Sequence, residues 1–564
     1  MLNKSILHFE VLKLQVKSIA LNKTKYKHMK LIKPIFLSAT VAMILASCGS
    51  SNVVSTPITN IDSTPLKVSK LTDAELNSWS HLDLVKDTIP GMSVDKAYEF
   101  LQGKKGKTVV VGVIDSGVDI EHEDLKNVLW TNKKEIANNG KDDDKNGFID
   151  DVHGWNFLGD INDENLEFVR ILRDKSLADA ATVASAQEEY DVEYKQATAN
   201  KARYEGIYQT LTNADAAIAK HLGKETYTKE EVNAIKTEDE SLTQSIAVIK
   251  QMFGYGSSIS EVKEQLKGGI DHFAGSLNSH LDMKTDFRAA VGDNPNDISD
   301  NIYGNNIMWG PEKDGALHGT HVAGIIAAER NNGKGMNGIA HNVEIMTVRA
   351  VPNGDEYDKD IALAFRYAVD NGAKVINTSF GKSYSPHAKW VYDAIKYAAD
   401  HDVLIVNAAG NDGTDLDTKN IYPNDQVDNG AEISNNFLTV GALNYKYGSE
   451  IVANFSNYGK TNVDVFAPGV KIYAPVPHNK YKHLQGTSMA SPNVAGVAAL
   501  IRSYYPKLKA AQVKQILMTS GLPIKTKAIM GGDKDNTKTL SEVSTSGKIV
   551  NAYNALIMAE MMSK

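Results

Sequence analysis

The chain has 564 residues, 42% hydrophobic and 23% charged, with a formal net charge of −8 at pH 7. That composition excludes wholesale disorder and supplies apolar side chains for a large core. A mildly acidic chain with no basic run interleaved with aromatics lacks the electrostatic footprint of a nucleic-acid binder, so no DNA or RNA partner is expected.

Residues 1–28 read as a misassigned upstream segment, because Met29 begins a complete export signal by itself. Met29-Lys30-Leu31-Ile32-Lys33 is a short basic start, and 34–45 is a mostly apolar stretch too short to span a membrane comfortably. Residues 29–47 are therefore expected to be a lipoprotein signal peptide. It ends in Leu45-Ala46-Ser47-Cys48, which resembles the bacterial lipobox, where cleavage precedes the Cys and the thiol is acylated. The alternative is a plain secretory signal with a chance Cys nearby. Cys48 is the only cysteine, which excludes an internal disulfide and a zinc framework. The lipobox resemblance implies an extracytoplasmic protein anchored through Cys48 to the cell envelope, on the periplasmic or surface face of an outer membrane. Each buried methylene of its acyl chains adds ~0.8 kcal/mol to the anchoring. Residues 48–89 read as a tether and N-terminal extension, the stretch 50–70 being rich in Ser, Thr, Asn and Pro.

From Thr108 to Asp115 the run Thr-Val-Val-Val-Gly-Val-Ile-Asp is almost continuously apolar and β-branched, the pattern of a strand buried on both faces of a parallel sheet. It delivers Asp115 to the carboxyl end of that strand, the edge where open α/β sheets place ligands; a strand-end Asp also commonly caps the following turn. Next comes Asp142-Asp143-Asp144-Lys145-Asn146-Gly147-Phe148-Ile149-Asp150-Asp151, with oxygens at alternate positions and Gly at the sixth, as hard-cation loops require. Its expected ligands for Ca2+ are Asp142, Asp144, Asn146, the carbonyl of Phe148, and one or both of Asp150 and Asp151. A solvated acidic turn is the alternative.

Residues 164–286 break the pattern. Strand signals vanish, and Val183, Tyr190, Ala197, Tyr204 and Leu211 recur every seven residues along Ala-, Glu-, Lys- and Gln-rich sequence, which predicts a helical insertion. Thr228 to Glu231 and Ser258 to Glu261 have capping-box spacing, while Gly206 weakens the first helix.

Beyond it, His318-Gly319-Thr320-His321-Val322-Ala323-Gly324 suits a helix start pressed against other backbone. His318 and His321 also have the spacing of a zinc half-site, but no third ligand and no HExxH arrangement follow. The glycine-rich 331–338 is a candidate for a second, weaker cation loop or a plain turn. Strand-like runs at 343–348, 374–377, 403–407 and 437–440 alternate with helical patterns at 361–370 and 391–400, and further helices are expected at 510–519 and 550–561. The fold class is therefore α/β, a doubly wound, mostly parallel sheet over 90–163 and 287–564. Last comes Gly486-Thr487-Ser488-Met489-Ala490-Ser491-Pro492, where small residues leave room around Ser488; a serine at a helix start is also a common cap.

Taken together, Asp-Ser-Gly at Asp115, His-Gly-Thr-His-Val-Ala-Gly at His318 and Gly-Thr-Ser-Met-Ala-Ser-Pro at Ser488 resemble the three signature blocks of the subtilisin-like serine peptidases, in the chain order Asp, His, Ser of that family. The resemblance implies that Ser488 is the nucleophile, His318 its base and Asp115 the residue that orients the imidazole. It implies that Asn411, within Ala408-Ala409-Gly410-Asn411-Asp412, donates to the oxyanion beside the Ser488 N–H. It further implies that Ser379-Phe380-Gly381, with Ala408 and Gly410, binds substrate as an added strand, and that the pocket floor lies in 421–436, where this sequence departs from the common pattern. The expected activity is endopeptidase cleavage of protein or peptide substrates. A rival reading, a lipoprotein that keeps the fold as a binding scaffold, has no physical need of all four catalytic positions. Two departures stand out: Asp115 and His318 are 203 residues apart, which puts the insertion between triad members near the active-site rim, and the stretch from Cys48 to residue 90 is short for an inhibitory propeptide.

Overall fold

The computed structural model describes residues 56–59, 61, 64–67, 69–427 and 430–564. Its centre is a nine-stranded sheet, and the sequence dictates why. Strand β1 (Val109–Asp115) puts Val111 and Val113 on one face and Ile114 on the other, and all three are fully buried. Such a strand needs cover on both sides. Helices Leu317–Ala327 and Thr487–Tyr504 pack in the cluster with Val111 and Val113, and helices Asp358–Asp370 and Ala388–Asp400 pack in the cluster with Ile114.

The remaining strands in chain order are β2 (Gly154–Asn156), β3 (Val343–Arg349), β4 (Val375–Thr378), β5 (Leu404–Ala408), β6 (Phe437–Leu443), β7 (Val465–Pro468), β8 (Ile472–Val476), β9 (Lys480–Leu484), β10 (Leu522–Pro523), β11 (Ala528–Met530), β12 (Asp533–Lys538) and β13 (Lys548–Ile549). The large sheet runs β10-β13-β7-β6-β5-β4-β1-β3-β2. All its pairings are parallel except β10 with β13. The chain leaves β1 for β2 and then β3 on one side, and crosses to β4 on the other. The carboxyl ends of β1 and β4 thus form the switch point at which open α/β sheets bind ligands. The two short hairpins, β8-β9 and β11-β12, stand outside this sheet.

The stretch 164–286 is helical, as the absence of strand signals predicts. A 43-residue helix, Ala180–Leu222, runs through Gly206 without interruption. Helices Glu240–Met252 and Ile259–Gly275 pack along it. Two separate apolar clusters hold these helices. One, containing Leu211, Ile218, Val232, Ile246, Ile249 and Val262, draws only on insertion residues; the other, containing Phe168, Leu172, Ala186 and Ala197, includes Tyr384 of the sheet body. Thr228 and Glu231 form the expected reciprocal cap; at the second position Ser258 caps Glu261, whose carboxylate turns to Ser257 instead.

The N-terminal extension differs from its reading. Residues 57–564 belong to one unit, and the main core already includes Ile61, Trp79, Leu84 and Ile89. Ile58, within the segment read as a tether, exchanges two 2.8 Å hydrogen bonds with the Asn554 side chain. The Ser/Thr/Pro bias of that segment carries no trace of a partner so far along the chain. Cys48 and the signal peptide lie outside the described residues. Among the described residues no helix is long and apolar enough to cross a membrane.

Candidate active site

Each predicted catalytic side chain is delivered by a different element. Asp115 ends β1, buried, and its Oδ1 accepts from the Ser116 amide at 2.7 Å. The same oxygen lies 2.7 Å from His318 Nδ1, which sits in the first turn of the Leu317–Ala327 helix. Gly319 permits this approach: a methyl group there would lie 2.1 Å from the Gly117 carbonyl and 3.1 Å from the Asp115 Cβ, so any side chain would force the helix off the strand. Desolvation opposes the imidazolium, but the charge and hydrogen bond of Asp115 outweigh it and hold the His318 pKa above its ordinary value. His321 serves a different purpose. Its Nε2 bonds to the carbonyls of Ile472 and Lys482 at 3.0 and 3.1 Å, and burial drives its pKa down to about 3. With His318 bound to Asp115 and His321 to backbone, the pair is no zinc half-site.

Ser488 stands at the second position of the Thr487–Tyr504 helix. Pro492, four residues on, has no N–H to give to the Ser488 carbonyl, and the Ser379 hydroxyl fills the vacancy at 3.0 Å. Ser379 Oγ in turn accepts from Asn377, whose Oδ1 accepts from Ser491 at 2.8 Å. This chain of bonds fixes the start of the serine helix against the segment that continues β4. The Ser488 hydroxyl points to the Ser379 carbonyl at 3.1 Å and not to His318.

Asn411 follows β5 through Ala408 and Gly410, as expected. Its Oδ1 accepts from the Thr487 amide at 2.8 Å and from Thr487 Oγ1 at 3.1 Å, so its carbonyl side is engaged and its NH2 is turned outward. The Gly410 amide donates to the same Thr487 hydroxyl. A methyl group placed on Gly486 would lie 3.6 Å from the Ser488 amide nitrogen and 3.7 Å from Asn411 Nδ2. Asn411 Oδ1 lies at 3.5 Å from the same point, so the Ser488 amide and the Asn411 side chain border one small space beside Ser488. Phe380, between Ser379 and Gly381, is buried.

The acidic loop gathers in part. One carboxylate oxygen each of Glu135, Asp142 and Asp144 lies within 4.8 Å of the others. Asn146 stays on the loop, its amide donating to Asp151 and its Oδ1 accepting from Phe148 N. The Asp150 carboxylate is spent on the amides of Asn139 and Gly140. Asp151 holds Asn132, Asn146 and the Tyr367 hydroxyl, and burial raises its pKa. Glu135, outside the loop motif, was missed by sequence reasoning: one of its oxygens accepts from Asp143 and Asp144 and the other is buried without a partner. Three carboxylates this close repel one another, and an orphaned buried oxygen among them suits a hard cation. In the 331–338 loop, the Asn332 amide donates to Asp124 Oδ1 at 2.6 Å, and Asp124 Oδ2 is buried without a partner.

A doubly wound sheet carrying an Asp-His pair, with a serine at a helix start beside Asn411, is an α/β protein with the residue types that serine-nucleophile sites use. A family description, the subtilase family, matches residues 106–543, and the chain belongs to that family. It is similar to the thermophilic serine proteinase of Bacillus sp. (strain AK1), 45% identical over 187 residues that cover 33% of this chain and 42% of that protein. The cell wall-associated protease of Bacillus subtilis (strain 168) is 36% identical over 242 residues, 42% of this chain and 24% of the relative. Subtilisin DY of Bacillus licheniformis is 37% identical over 209 residues, 37% of this chain and 71% of the relative. The chain thus spans less than half the length of the first two and most of the third.

Proposed function

We propose that the protein is a secreted serine endopeptidase that cleaves protein or peptide substrates through an acyl-enzyme. The observation that carries this reading is the 2.7 Å Asp115-His318 pair, together with Ser488 at a helix start beside the Asn411 side chain. Two of the three relatives are named as a serine proteinase and a protease, which agrees with it. The sequence of events follows from the geometry. Substrate adds as a strand along Ser379–Gly381 and gives an N–H to the Ser379 carbonyl, which frees the Ser488 hydroxyl to turn to His318 Nε2. Ser488 Oγ attacks the scissile carbonyl as its proton passes to His318, and Asn411 and the Ser488 amide hold the oxyanion. His318 then gives that proton to the leaving amine, and a water deacylates Ser488 by the same route in reverse. The test is labelling of the purified protein by a fluorophosphonate together with casein cleavage; a protein that does neither is not this enzyme.

Calcium belongs to the same proposal. Glu135, Asp142 and Asp144 would hold the ion, with Asn146 and the Phe148 carbonyl adjacent, and its charge would offset their repulsion. A ligand that binds only the folded state adds RT ln(1 + [L]/Kd), about 2.7 kcal/mol at one hundred times Kd. Chelation is expected to lower the melting temperature and speed self-digestion, and Glu135→Ala or Asp144→Ala to abolish that response. A melting temperature indifferent to EDTA and calcium would sink the site.

The lipobox-like Leu45-Ala46-Ser47-Cys48 supports anchoring through acylated Cys48. Cys48→Ser is expected to shift the protein from the membrane fraction to the soluble extracytoplasmic fraction. A mature N-terminus other than a lipid-modified Cys48, read by mass spectrometry, would refute the anchor.

A further inference from the structure

We infer that the helical insertion closes the groove on the acyl side of the scissile bond after about three substrate residues, at 3.3 Å per residue along Ser379–Gly381. This rests on the peptidase reading above and specifies how much peptide its site can recognise. In the sheet β1 lies between β3 and β4. Past the ends of β3 and β4 the chain runs on into the segments 353–356 and 379–382, while β1 stops at Asp115. Above Asp115 there is consequently a slot of two strand spacings, roughly 9.5 Å, the width that one added strand fills. Ser488 lies at its inner end, against Ser379.

The outer end is barred. Lys382 crosses the slot: its Nζ donates to the Glu356 carbonyl at 2.7 Å and meets Asp358 Oδ1 at 2.9 Å and Glu167 Oε2 at 2.6 Å. Arg170 lies across the same place, donating to the carbonyls of Asp355 and Glu356 and to Glu167. Glu167 and Arg170 belong to the helix Glu167–Arg173, which opens the insertion. The amides of Glu164 and Glu167 are tied to Asn353 and Asp355 on the far side of the slot. On the near side, Tyr384 donates to Glu189 of the long helix. Lys382 and Arg170 are almost wholly buried, at 2% and 6% exposure. The bar falls at the residue after Gly381, which leaves Ser379, Phe380 and Gly381 between it and the nucleophile.

The experiment is a series of N-acetylated chromogenic peptides with one to six residues before the scissile bond, assayed on the full protein. The kcat/KM is expected to climb roughly five- to tenfold per residue up to the third, the worth of a backbone hydrogen bond, and to change less than about twofold thereafter. A gain of about tenfold or more between the third and fifth residues overturns the closure. Failure to hydrolyse any member would defeat the peptidase reading itself; binding of the same peptides to Ser488→Ala, followed by calorimetry, still reads the length profile. Arg170→Ala with Lys382→Ala removes both bars. If that variant folds, the length dependence is expected to extend to the fifth residue, and an unchanged plateau would show that these side chains are not the bar. If it does not fold, the series on the unaltered protein decides.

Discussion

Ser488→Ala is expected to lower peptide hydrolysis by on the order of 10⁶-fold in kcat and to end fluorophosphonate labelling. The size of the loss follows from the proposed role: the Ser488 hydroxyl is the group that forms the acyl-enzyme, and alanine has nothing to put in its place. The variant should keep its fold, because the hydroxyl bonds only to the Ser379 carbonyl, while the Ser488 carbonyl and the Thr487 bonds that lock the helix start are untouched. Asn411→Ala is the milder companion, costing ~10²- to 10³-fold in kcat with KM little changed, since its amide acts on charge that exists only in the transition state. Undiminished hydrolysis by purified Ser488→Ala would end the assignment.

Asp115→Asn is expected to cost ~10⁴-fold, the scale on which serine peptidases depend on the residue that fixes the imidazole tautomer. The carboxylate accepts from His318 Nδ1–H, which leaves Nε2 bare to act as base; an amide NH2 facing Nδ1 reverses this. A second readout separates this role from simple loss of structure. Catalysis needs neutral His318, so activity rises as pH climbs through its folded pKa, and Asp115 holds that pKa above the ordinary imidazole value. Neutralising Asp115 removes the charge that raises it, so the acid limb of the residual kcat/KM profile should shift to lower pH. A limb that stays in place would mean that Asp115 does not set the charge state of His318.

The strands that lead to Asp115 and Asn411 are legible because they are apolar runs with no polar interruption, as at Val109–Ile114 and Leu404–Val406. Strand β2, three residues ending in Trp155-Asn156, and β7, which ends in Pro468, are too short to show a period. Within the site, sequence blocks gave the residues their roles, but the conformations that place them came from contacts with distant segments. Glu135 was missed because it lies seven positions before the loop motif and joins it only through the amides of Asp143 and Asp144. Asp150 carries the spacing of a ligand, yet two turn amides claim its oxygens. The Lys382 network was invisible for a related reason: its members come from 164–170, 355–358 and 382, and no local pattern marks charges that meet only after folding.

The two apolar clusters of the insertion divide its tolerance of substitution. The 43-residue helix passes through both and is about 65 Å long at 1.5 Å per residue. At its base, Tyr384 and the Glu167-Lys382 pair make sequence change answerable to the geometry of the groove. Its tip, closed by Ile218, Ile249 and Val262 against one another, touches no catalytic residue. Substitutions in the tip half of the hairpin are therefore expected to leave the chemistry little changed, while substitutions at the base disturb the groove.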